Sequence, residues 1–301
     1  KTALIYFQQL NNIHASNATE IQLAKTYISL GQIVKAIKLL ENEDFNDRQQ
    51  VIAGFLLVKA YLIQGKPERA IKVAKQLALL QPNNPNFKHH LGFVYQTIGD
   101  FDKAQLYFQQ ALSLDAKHVK SIISLAEIFS ALGQPDKGIE KLQGALALLP
   151  NDVQLLVALA RQYRATEQPG KATLMYQSAY QKKVDDEDLL INFVNSLEIQ
   201  GNYQEAIEAT KGFLLSHKKT AKLYMLLGKL YLQTKQVSLA IDSYRDALTF
   251  KTEKSEVYFY IAQAYQQDKK FSDVVASYQK SIAWAPTAVE PVIALASYLN
   301  Q

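Results

Sequence analysis

The 301-residue chain has no cysteine, 48% hydrophobic residues, 12 glycines and 8 prolines, a composition that excludes collagen-like, disulfide-stapled and strongly disordered chains. Its net charge of +5 arises from 33 Lys and Arg against 28 Asp and Glu, which are scattered along the whole length and argue against a nucleic-acid-binding arm. Without cysteine, thiolate metal sites and a cysteine nucleophile are also excluded.

Two further expectations concern the membrane and the chain ends. No apolar run approaches the roughly 18 residues that suggest a membrane-spanning helix, so we expect no direct insertion into a membrane. The sequence begins at Lys1 with neither an initiator Met nor a charged-then-apolar leader, and we therefore expect it to be a piece of a longer protein.

From the N-terminus onward, the sequence repeats with a period of 34 residues. Two columns of small residues and one column of aromatic residues keep this spacing without an insertion. The first small column is Ala24, Val58, Gly92, Ala126, Ala160, Val194, Gly228 and Ala262; the aromatic column is Tyr27, Tyr61, Tyr95, Phe129, Tyr163, Leu197, Tyr231 and Tyr265; the second small column is Ala36, Ala70, Ala104, Gly138, Ala172, Ala206, Ala240 and Val274.

The period divides the whole chain, which we predict to be a single repeat array over residues 1–301. Residues 1–16 match the second half of a repeat, and residues 289–301 match the first half of one. The full repeats are 17–50, 51–84, 85–118, 119–152, 153–186, 187–220, 221–254 and 255–288.

Each repeat predicts a first and a second α-helix separated by a turn. In the third full repeat, Leu91 and Tyr95 share one face of a first helix, and Ala104 and Phe108 mark the inward face of a second helix. Five glycines occupy the same turn position, where a left-handed residue ends a helix at little steric cost. They are Gly31, Gly65, Gly99, Gly133 and Gly201.

Helix ends carry signals of their own. All eight prolines fall at or near predicted helix ends, where a missing N–H is tolerated. Asn17 and Glu20 predict a capping box at the start of the first full repeat. The acidic run Asp185–Asp188 opens another first helix, where unsatisfied N–H groups stabilise carboxylates, so we interpret it as capping and not as a cation site.

The pattern Leu91-Gly92-x2-Tyr95…Ala104-x3-Phe108-x2-Ala111 resembles the tetratricopeptide repeat, a 34-residue helix-turn-helix unit. The resemblance covers the entire chain. It implies an all-α fold in which helix pairs stack into a right-handed superhelical solenoid with a concave inner surface. The Gln-, Lys- and Ile-rich style is similar to that of bacterial members, including those of envelope and exopolysaccharide assembly.

No residue pattern predicts catalysis, a metal site or a cofactor. The five histidines lack metal-ligand spacing, and the P-loop, dinucleotide-binding and nucleophile-elbow patterns are absent from the sequence. Most of the 17 tyrosines fall on packing columns, which favours a structural role over a stacking platform for bases. We therefore expect a protein that is not an enzyme, with no cofactor, no metal and no nucleic-acid partner.

The resemblance implies that positions 2, 5, 9, 12 and 13 of each first helix line the inner groove. Position 5 is apolar in eight of nine repeats, and position 9 is mostly polar and partly basic. From these positions we predict a peptide-binding surface formed by Ile21, Lys25, Ile28, Ile52, Phe55, Lys59, Leu62, His89, Phe93, Ile123, Glu127, Arg161, Arg164, Asn195, Met225 and Lys229. The alternative is that position 5 completes the core.

These observations predict a non-catalytic scaffold that holds a protein or peptide segment in its groove, in bacterial envelope, exopolysaccharide or secretion assembly. Two alternatives stay open: a substrate-recruiting arm of a larger enzyme, and a homo-oligomerisation module that pairs end helices such as Thr2–Leu10 and Val292–Leu299. The sequence is compatible with the bacterial periplasm or envelope and with the cytoplasm.

Overall fold

The structure, a computed structural model, describes residues 2–13, 16–41 and 47–300. All regular elements in these ranges are α-helices. The chain forms two compact units, Lys1–Pro150 and Asn151–Gln301, which we call unit 1 and unit 2. The prediction of a single continuous array over 1–301 stays a prediction.

Unit 1 contains nine helices within its described residues. They are α1 (Thr2–Ile13), α2 (Asn17–Ser29), α3 (Ile33–Leu40), α4 (Asp47–Ile63), α5 (Pro67–Leu80), α6 (Pro85–Thr97), α7 (Phe101–Leu114), α8 (Val119–Ala131) and α9 (Pro135–Leu148). Each helix packs against the next one along the chain. In addition, the first helices α2, α4, α6 and α8 contact one another in that order and so lie side by side.

Unit 2 contains another nine helices within its described residues. They are α10 (Val153–Ala165), α11 (Pro169–Lys182), α12 (Glu187–Ile199), α13 (Tyr203–Ser216), α14 (Ala221–Gln233), α15 (Val237–Ala247), α16 (Lys254–Gln267), α17 (Phe271–Trp284) and α18 (Val289–Leu299). Consecutive helices again pack together, and the first helices α14 and α16 are also in direct contact.

Local sequence signals explain where the helices begin. Pro67, Pro135 and Pro169 each stand at the first position of a second helix, where proline loses no hydrogen bond. Asp186 caps α12, because its side chain accepts hydrogen bonds from the N–H groups of Asp188 and Leu189. The capping interpretation of the acidic run is therefore confirmed.

The predicted capping box at the start of α2 is wrong by one residue. Ser16 is the N-cap, with its Oγ accepting from the Thr19 N–H while the Thr19 hydroxyl oxygen accepts from the Ser16 N–H. The Thr19 hydroxyl can accept the hydrogen bond from the N-cap amide as well as the carboxylate of Glu20 could. The capping box is therefore formed by Ser16 and Thr19, one residue earlier than predicted. Two first helices also begin before the repeat start in the sequence, α4 at Asp47 and α16 at Lys254.

The turn after each first helix has one geometry in all eight full repeats. The five predicted glycines have φ between +72° and +82°, and the same repeat position in the other repeats holds Glu167, Lys235 and Lys269 at φ of 56° to 59°. In each case two backbone hydrogen bonds close the turn, as in the Schellman motif; in the first repeat Gln32 N–H donates to the Tyr27 carbonyl and Gly31 N–H to the Ile28 carbonyl.

The three sequence columns are packing positions. Both small-residue columns are buried throughout, and the aromatic column is buried except at Phe129 and Tyr265, which are half-buried. Basic residues cover several of the aromatic rings, for example Lys35 at 5.6 Å from the Tyr27 ring centroid and Lys103 at 5.3 Å from that of Tyr95. The prediction of stacked helix pairs with buried columns is therefore confirmed.

Glycine at these columns marks close approach between the two helices of a pair. A Cβ at Gly138 in α9 would lie 2.8 Å from the Ala126 carbonyl oxygen in α8, which is backbone and cannot rotate away. A Cβ at Gly92 would lie 2.7 Å from the ring of Phe108. The helices of a pair are therefore in contact through their backbones or through one large ring.

We expect Gly138→Ala to destabilise the protein by about 1 kcal/mol. The substitution gains up to about 1 kcal/mol of helix propensity, but overpacking against the Ala126 carbonyl costs about 1–3 kcal/mol. Gly144→Ala in the same helix is the matched control, since a Cβ there meets nothing within 4 Å. Urea unfolding should show opposite signs for the two variants, and equal stabilisation would contradict the close approach.

We expect Lys235→Gly to stabilise the protein by about 0.5–1 kcal/mol. A left-handed conformation costs a residue with a Cβ about 1–2 kcal/mol, which exceeds the extra unfolded-state entropy of glycine, about 0.4–1 kcal/mol. Lys235→Ala is the control, because it removes the charge and keeps the Cβ. Equal melting temperatures for the glycine and alanine variants would show that the turn is not strained.

Candidate functional site

The adjoining first helices of unit 1 carry eleven of the predicted site residues, and their exposure differs along the set. Lys25, Lys59 and Glu127 are exposed, and Phe93 is 46% exposed. The half-buried residues are Ile52, Phe55, Leu62, His89 and Ile123. We call this face of α2, α4, α6 and α8 the first-helix surface of unit 1.

Ile21 and Ile28 do not offer a surface to a ligand. They are 4% and 8% exposed, because α2 packs against α1, α3 and α4 at once. These two residues therefore belong to the core of unit 1, and their inclusion in the predicted site is corrected here. The other position-5 side chains of unit 1, Phe55, His89 and Ile123, are half-buried. Phe55 packs against the core and also reaches the surface.

An aromatic cluster occupies the middle of this surface. Phe55 stacks on Phe87 with ring centroids 5.4 Å apart and meets the edge of His90 at 4.4 Å, and His90 in turn lies 6.4 Å from Phe93. Offset and edge-to-face contacts of this kind hold rings in fixed orientations. The cluster presents Phe93 to solvent from a rigid base, and the adjoining helix α4 carries the exposed Lys59.

A histidine network lies beside the aromatic cluster. The His118 ring contacts Ser121 Oγ at 2.9 Å and Asn86 Oδ1 at 3.2 Å, and Ser121 Oγ also contacts His89 Nδ1 at 3.2 Å. The Nε2 atom of His90 is buried without a partner among the described residues. Sequence reasoning placed His89 at a groove position but did not find this network, because its members come from two repeats.

The pKa of both His89 and His90 is lowered to about 4, mainly by burial. For His89, electrostatic interaction with His118, His90 and Lys120 contributes to this lowering of the pKa in the same direction. Loss of hydration disfavours the imidazolium form, and no carboxylate among the described residues offsets that loss for these two rings. Both rings are therefore neutral in the folded protein at neutral pH.

We expect stability to fall as the pH is lowered from about 6.5 toward about 4. The unfolded histidines titrate near 6.5, so in this window the unfolded chain binds more protons than the folded one, and acidification favours unfolding. The check is urea unfolding at several pH values for the wild type and for the variant with His89→Asn and His90→Phe. The double variant should lose much of the slope; an unchanged slope would show that these histidines do not titrate as described.

Unit 2 holds the remaining predicted residues. Arg161 and Arg164 on α10 are exposed, and Asn195 on α12 is half-buried. Met225 is half-buried and Lys229 exposed, both on α14. Lys229 forms an ion pair with Glu198 at 2.8 Å, in which the glutamate side chain is largely buried.

Met225 and Lys229 line a cavity of about 540 Å³ on the face shared by α14 and α16, which we call the α14–α16 cavity. Its other lining residues are Thr220, Ala221, Lys222, Leu226, Tyr244, Lys251, Thr252, Glu256 and Tyr260. A second cavity of about 470 Å³ adjoins it and shares Lys229, Tyr244 and Tyr260. Two of the predicted site residues therefore line this cavity, and the prediction did not include its other lining residues.

Tyr244 is one of the tyrosines that the repeat pattern assigns to a packing column. Its side chain is 1% exposed, its ring stacks on Tyr260 at 5.8 Å, and its hydroxyl has no hydrogen-bond partner among the described residues. Burial, with a smaller contribution from Tyr260, raises the pKa of its hydroxyl above the ordinary value, so the group is neutral. Two other repeats hold Phe108 and Leu142 at the same buried position, and neither side chain has a hydroxyl. The tyrosine hydroxyl was therefore the signal in the sequence that could have identified this group.

The described part of the chain contains neither a candidate metal site nor a candidate membrane-spanning helix. Within residues 2–13, 16–41 and 47–300, no group of three or more His, Asp and Glu side chains is arranged to hold a metal ion. No helix in the same ranges has the length and hydrophobicity to span a bilayer.

Comparison with family models matches two segments, 86–118 and 192–256, to the tetratricopeptide repeat. These two segments of the chain therefore carry tetratricopeptide repeats. The first segment comprises α6 and α7, and the second includes the α14–α15 pair that forms one wall of the cavity. Comparison with curated proteins gives no match.

A solved structure of a tetratricopeptide-repeat protein shares the fold. The C-terminal part of a repeat protein from Cytophaga hutchinsonii superposes with a TM-score of 0.59 at 16% identity, over 80% of this chain and 99% of that one. A repeat protein from Parabacteroides merdae gives a TM-score of 0.47 at 15% identity, over 84% of this chain and 100% of that one.

A chain of the APC/C hetero-tetramer Cut9–Hcn1 gives a TM-score of 0.48 at 19% identity, over 98% of this chain. This chain spans 58% of the length of that one. Tetratricopeptide-repeat proteins are generally non-catalytic scaffolds, and the repeats support a general role in protein–protein interaction.

Proposed function

We propose that this protein binds an extended or helical segment of a partner protein on the exposed faces of its first helices, at the positions expected to line the inner groove. The observation that carries the proposal is the difference between the two sides of these helices: the small and aromatic columns are buried, whereas position 9 is exposed at Lys25, Lys59, Phe93, Glu127, Arg161 and Lys229. Such a surface can change its side chains without disturbing the helix pairs.

In unit 1 the aromatic cluster supplies the anchor for the partner. Phe93 is exposed on a base of stacked rings, and aromatic side chains dominate binding energy where they can be buried against a partner. Lys59 lies on the adjoining first helix α4 and Lys25 on α2 beyond it, and both can pair with acidic residues of the same partner segment. An apolar anchor with charged residues at its rim is the common arrangement of a specific interface.

The bacterial envelope, exopolysaccharide or secretion role remains part of this proposal through the similarity of sequence style alone. The substrate-recruiting arm and the homo-oligomerisation module remain the alternatives. Neither gains support from a particular contact among the described residues.

Selection of a displayed library of random peptides on the purified protein tests the proposal. We expect Phe93→Ser and Lys59→Glu each to lower the affinity for the selected peptides by about tenfold or more. Truncation of a central anchor or reversal of a rim charge typically costs at least about 1.4 kcal/mol of binding free energy. Melting temperatures should stay close to that of the wild type, because both side chains are exposed.

Leu79→Ser and Lys75→Glu are the matched controls, because both residues are exposed on the second helix α5 and Leu79 is 78% exposed. Peptides that respond equally to the first-helix variants and to these controls would contradict the proposal. So would a library from which no peptide is enriched. Light scattering of the same variants distinguishes peptide binding from self-association.

A further inference from the structure

The α14–α16 cavity combines a buried, unpaired hydrogen-bonding group with an apolar floor and a basic rim. Met225, Leu226 and Tyr260 form the floor and are all half-buried. The charged lining residues are three lysines, Lys222, Lys229 and Lys251, and one glutamate, Glu256. The half-buried part of the lining is therefore apolar, and its exposed part is mainly positive.

The unpaired group is the Tyr244 hydroxyl, and a comparison along the repeats explains why it lacks a partner. In the next repeat, the equivalent Tyr278 hydroxyl donates to Gln266 Oε1 at 3.4 Å. The residue of this repeat that corresponds to Gln266 is Leu232, which has no polar side-chain atom. This repeat thus has the tyrosine without the side chain that accepts its hydrogen bond in the next repeat. An unpaired buried hydroxyl lowers the stability of a folded protein by about 1–3 kcal/mol.

The three lysines differ in how far they are already engaged. Lys229 is held by the largely buried Glu198 at 2.8 Å. Lys222 pairs with Asp188 at 3.0 Å, but both side chains are mostly exposed, and exposed pairs contribute little and exchange partners readily. Lys251 is exposed and forms none of the ion pairs found among the described residues. Lys222 and Lys251 are therefore available to an incoming anion.

We infer that the α14–α16 cavity binds an acidic peptide segment that inserts one large aromatic or aliphatic side chain between Met225 and Tyr260. Carboxylates on either side of that residue pair with Lys251 and Lys222. A polar group of the peptide supplies the missing partner of the Tyr244 hydroxyl when the half-buried Tyr260 ring, which stacks over it, rotates aside. The inference rests on the proposed function and names the partner chemistry for this one site in unit 2.

An elongated ligand fits the cavity better than a small anion does. The adjoining second cavity continues past Lys229 and Tyr260 toward Gln263, Gln266 and Gln267, so the ligand-accessible space follows α16. Met225 suits an apolar side chain of variable shape, since its thioether is flexible and polarisable. The amide groups of the second cavity can hydrogen-bond a peptide backbone beyond the inserted residue.

The test uses a fluorescein-labelled peptide with a central Tyr-Leu pair between two runs of Asp and Glu, titrated against the full chain by fluorescence anisotropy. Two further peptides carry either Lys and Arg in the runs or Ala-Ala in the centre. We expect the acidic Tyr-Leu peptide to bind and the other two to bind at least about tenfold more weakly. Equal binding of the three peptides, or displacement by inorganic phosphate at equal concentration, would overturn the inference.

Variants then locate the binding site. Lys251→Glu should weaken the acidic peptide by about tenfold or more, whereas Lys211→Glu on the second helix α13, also exposed, should leave the affinity unchanged. If Lys251→Glu and Lys211→Glu act alike, the peptide does not bind in this cavity and the inference fails. Peptides from the random library that still respond to Phe93→Ser would keep the proposed function standing in that case.

Tyr244→Phe separates the role of the hydroxyl from packing. We expect an unchanged or higher melting temperature, because an unpaired group is removed, together with about threefold to tenfold weaker peptide binding. Tyr176→Phe, at the same repeat position and buried in α11, should leave peptide binding unchanged. A lower melting temperature with unchanged binding in Tyr244→Phe would show that the hydroxyl serves the fold and would overturn its assigned role.

Discussion

Close contact between the two helices of a pair is the constraint on which the rest of the structure depends. Gly138 leaves only 2.8 Å between an added Cβ and the Ala126 carbonyl oxygen, and Gly228 leaves room for the ring of Tyr244. Where alanine replaces glycine at these columns, it is fully or almost fully buried. Because neither backbone nor ring can retreat, each pair is fixed at one spacing, and the following helix must pack against a surface of fixed shape.

This constraint divides the first helices into a side that packs and a side that is free to vary. In unit 1 the contacts of α2, α4, α6 and α8 bring their exposed faces together, with Lys59 and Phe93 exposed and Phe55 half-buried. A change at position 5 affects both sides, since the side chain also contacts the core. At position 9 most side chains are exposed, so a change there disturbs the helix pair less, which makes this position the natural place for a partner to be specified.

The sequence predicts the fold in detail because one period repeats the same physical requirements eight times. Buried small columns, proline at Pro135 and the left-handed turn at Gly99 all follow from constraints internal to one repeat. The site is predicted less well because exposure depends on neighbouring helices. Ile28 has the spacing of a groove residue, yet it is buried where α2 meets α1, α3 and α4 together.

The Tyr244 hydroxyl shows why a stable core can hold a group that no packing rule predicts. Burying an aromatic ring of about 150–250 Å² at about 25 cal/mol per Å² contributes about 4–6 kcal/mol, which outweighs the roughly 1–3 kcal/mol cost of one unpaired hydroxyl. The repeat therefore tolerates tyrosine where phenylalanine would serve the fold better. The free energy of folding that the unpaired hydroxyl costs is regained only when another group forms a hydrogen bond with it. Tyr244 lines the α14–α16 cavity, so such a group can approach from that cavity.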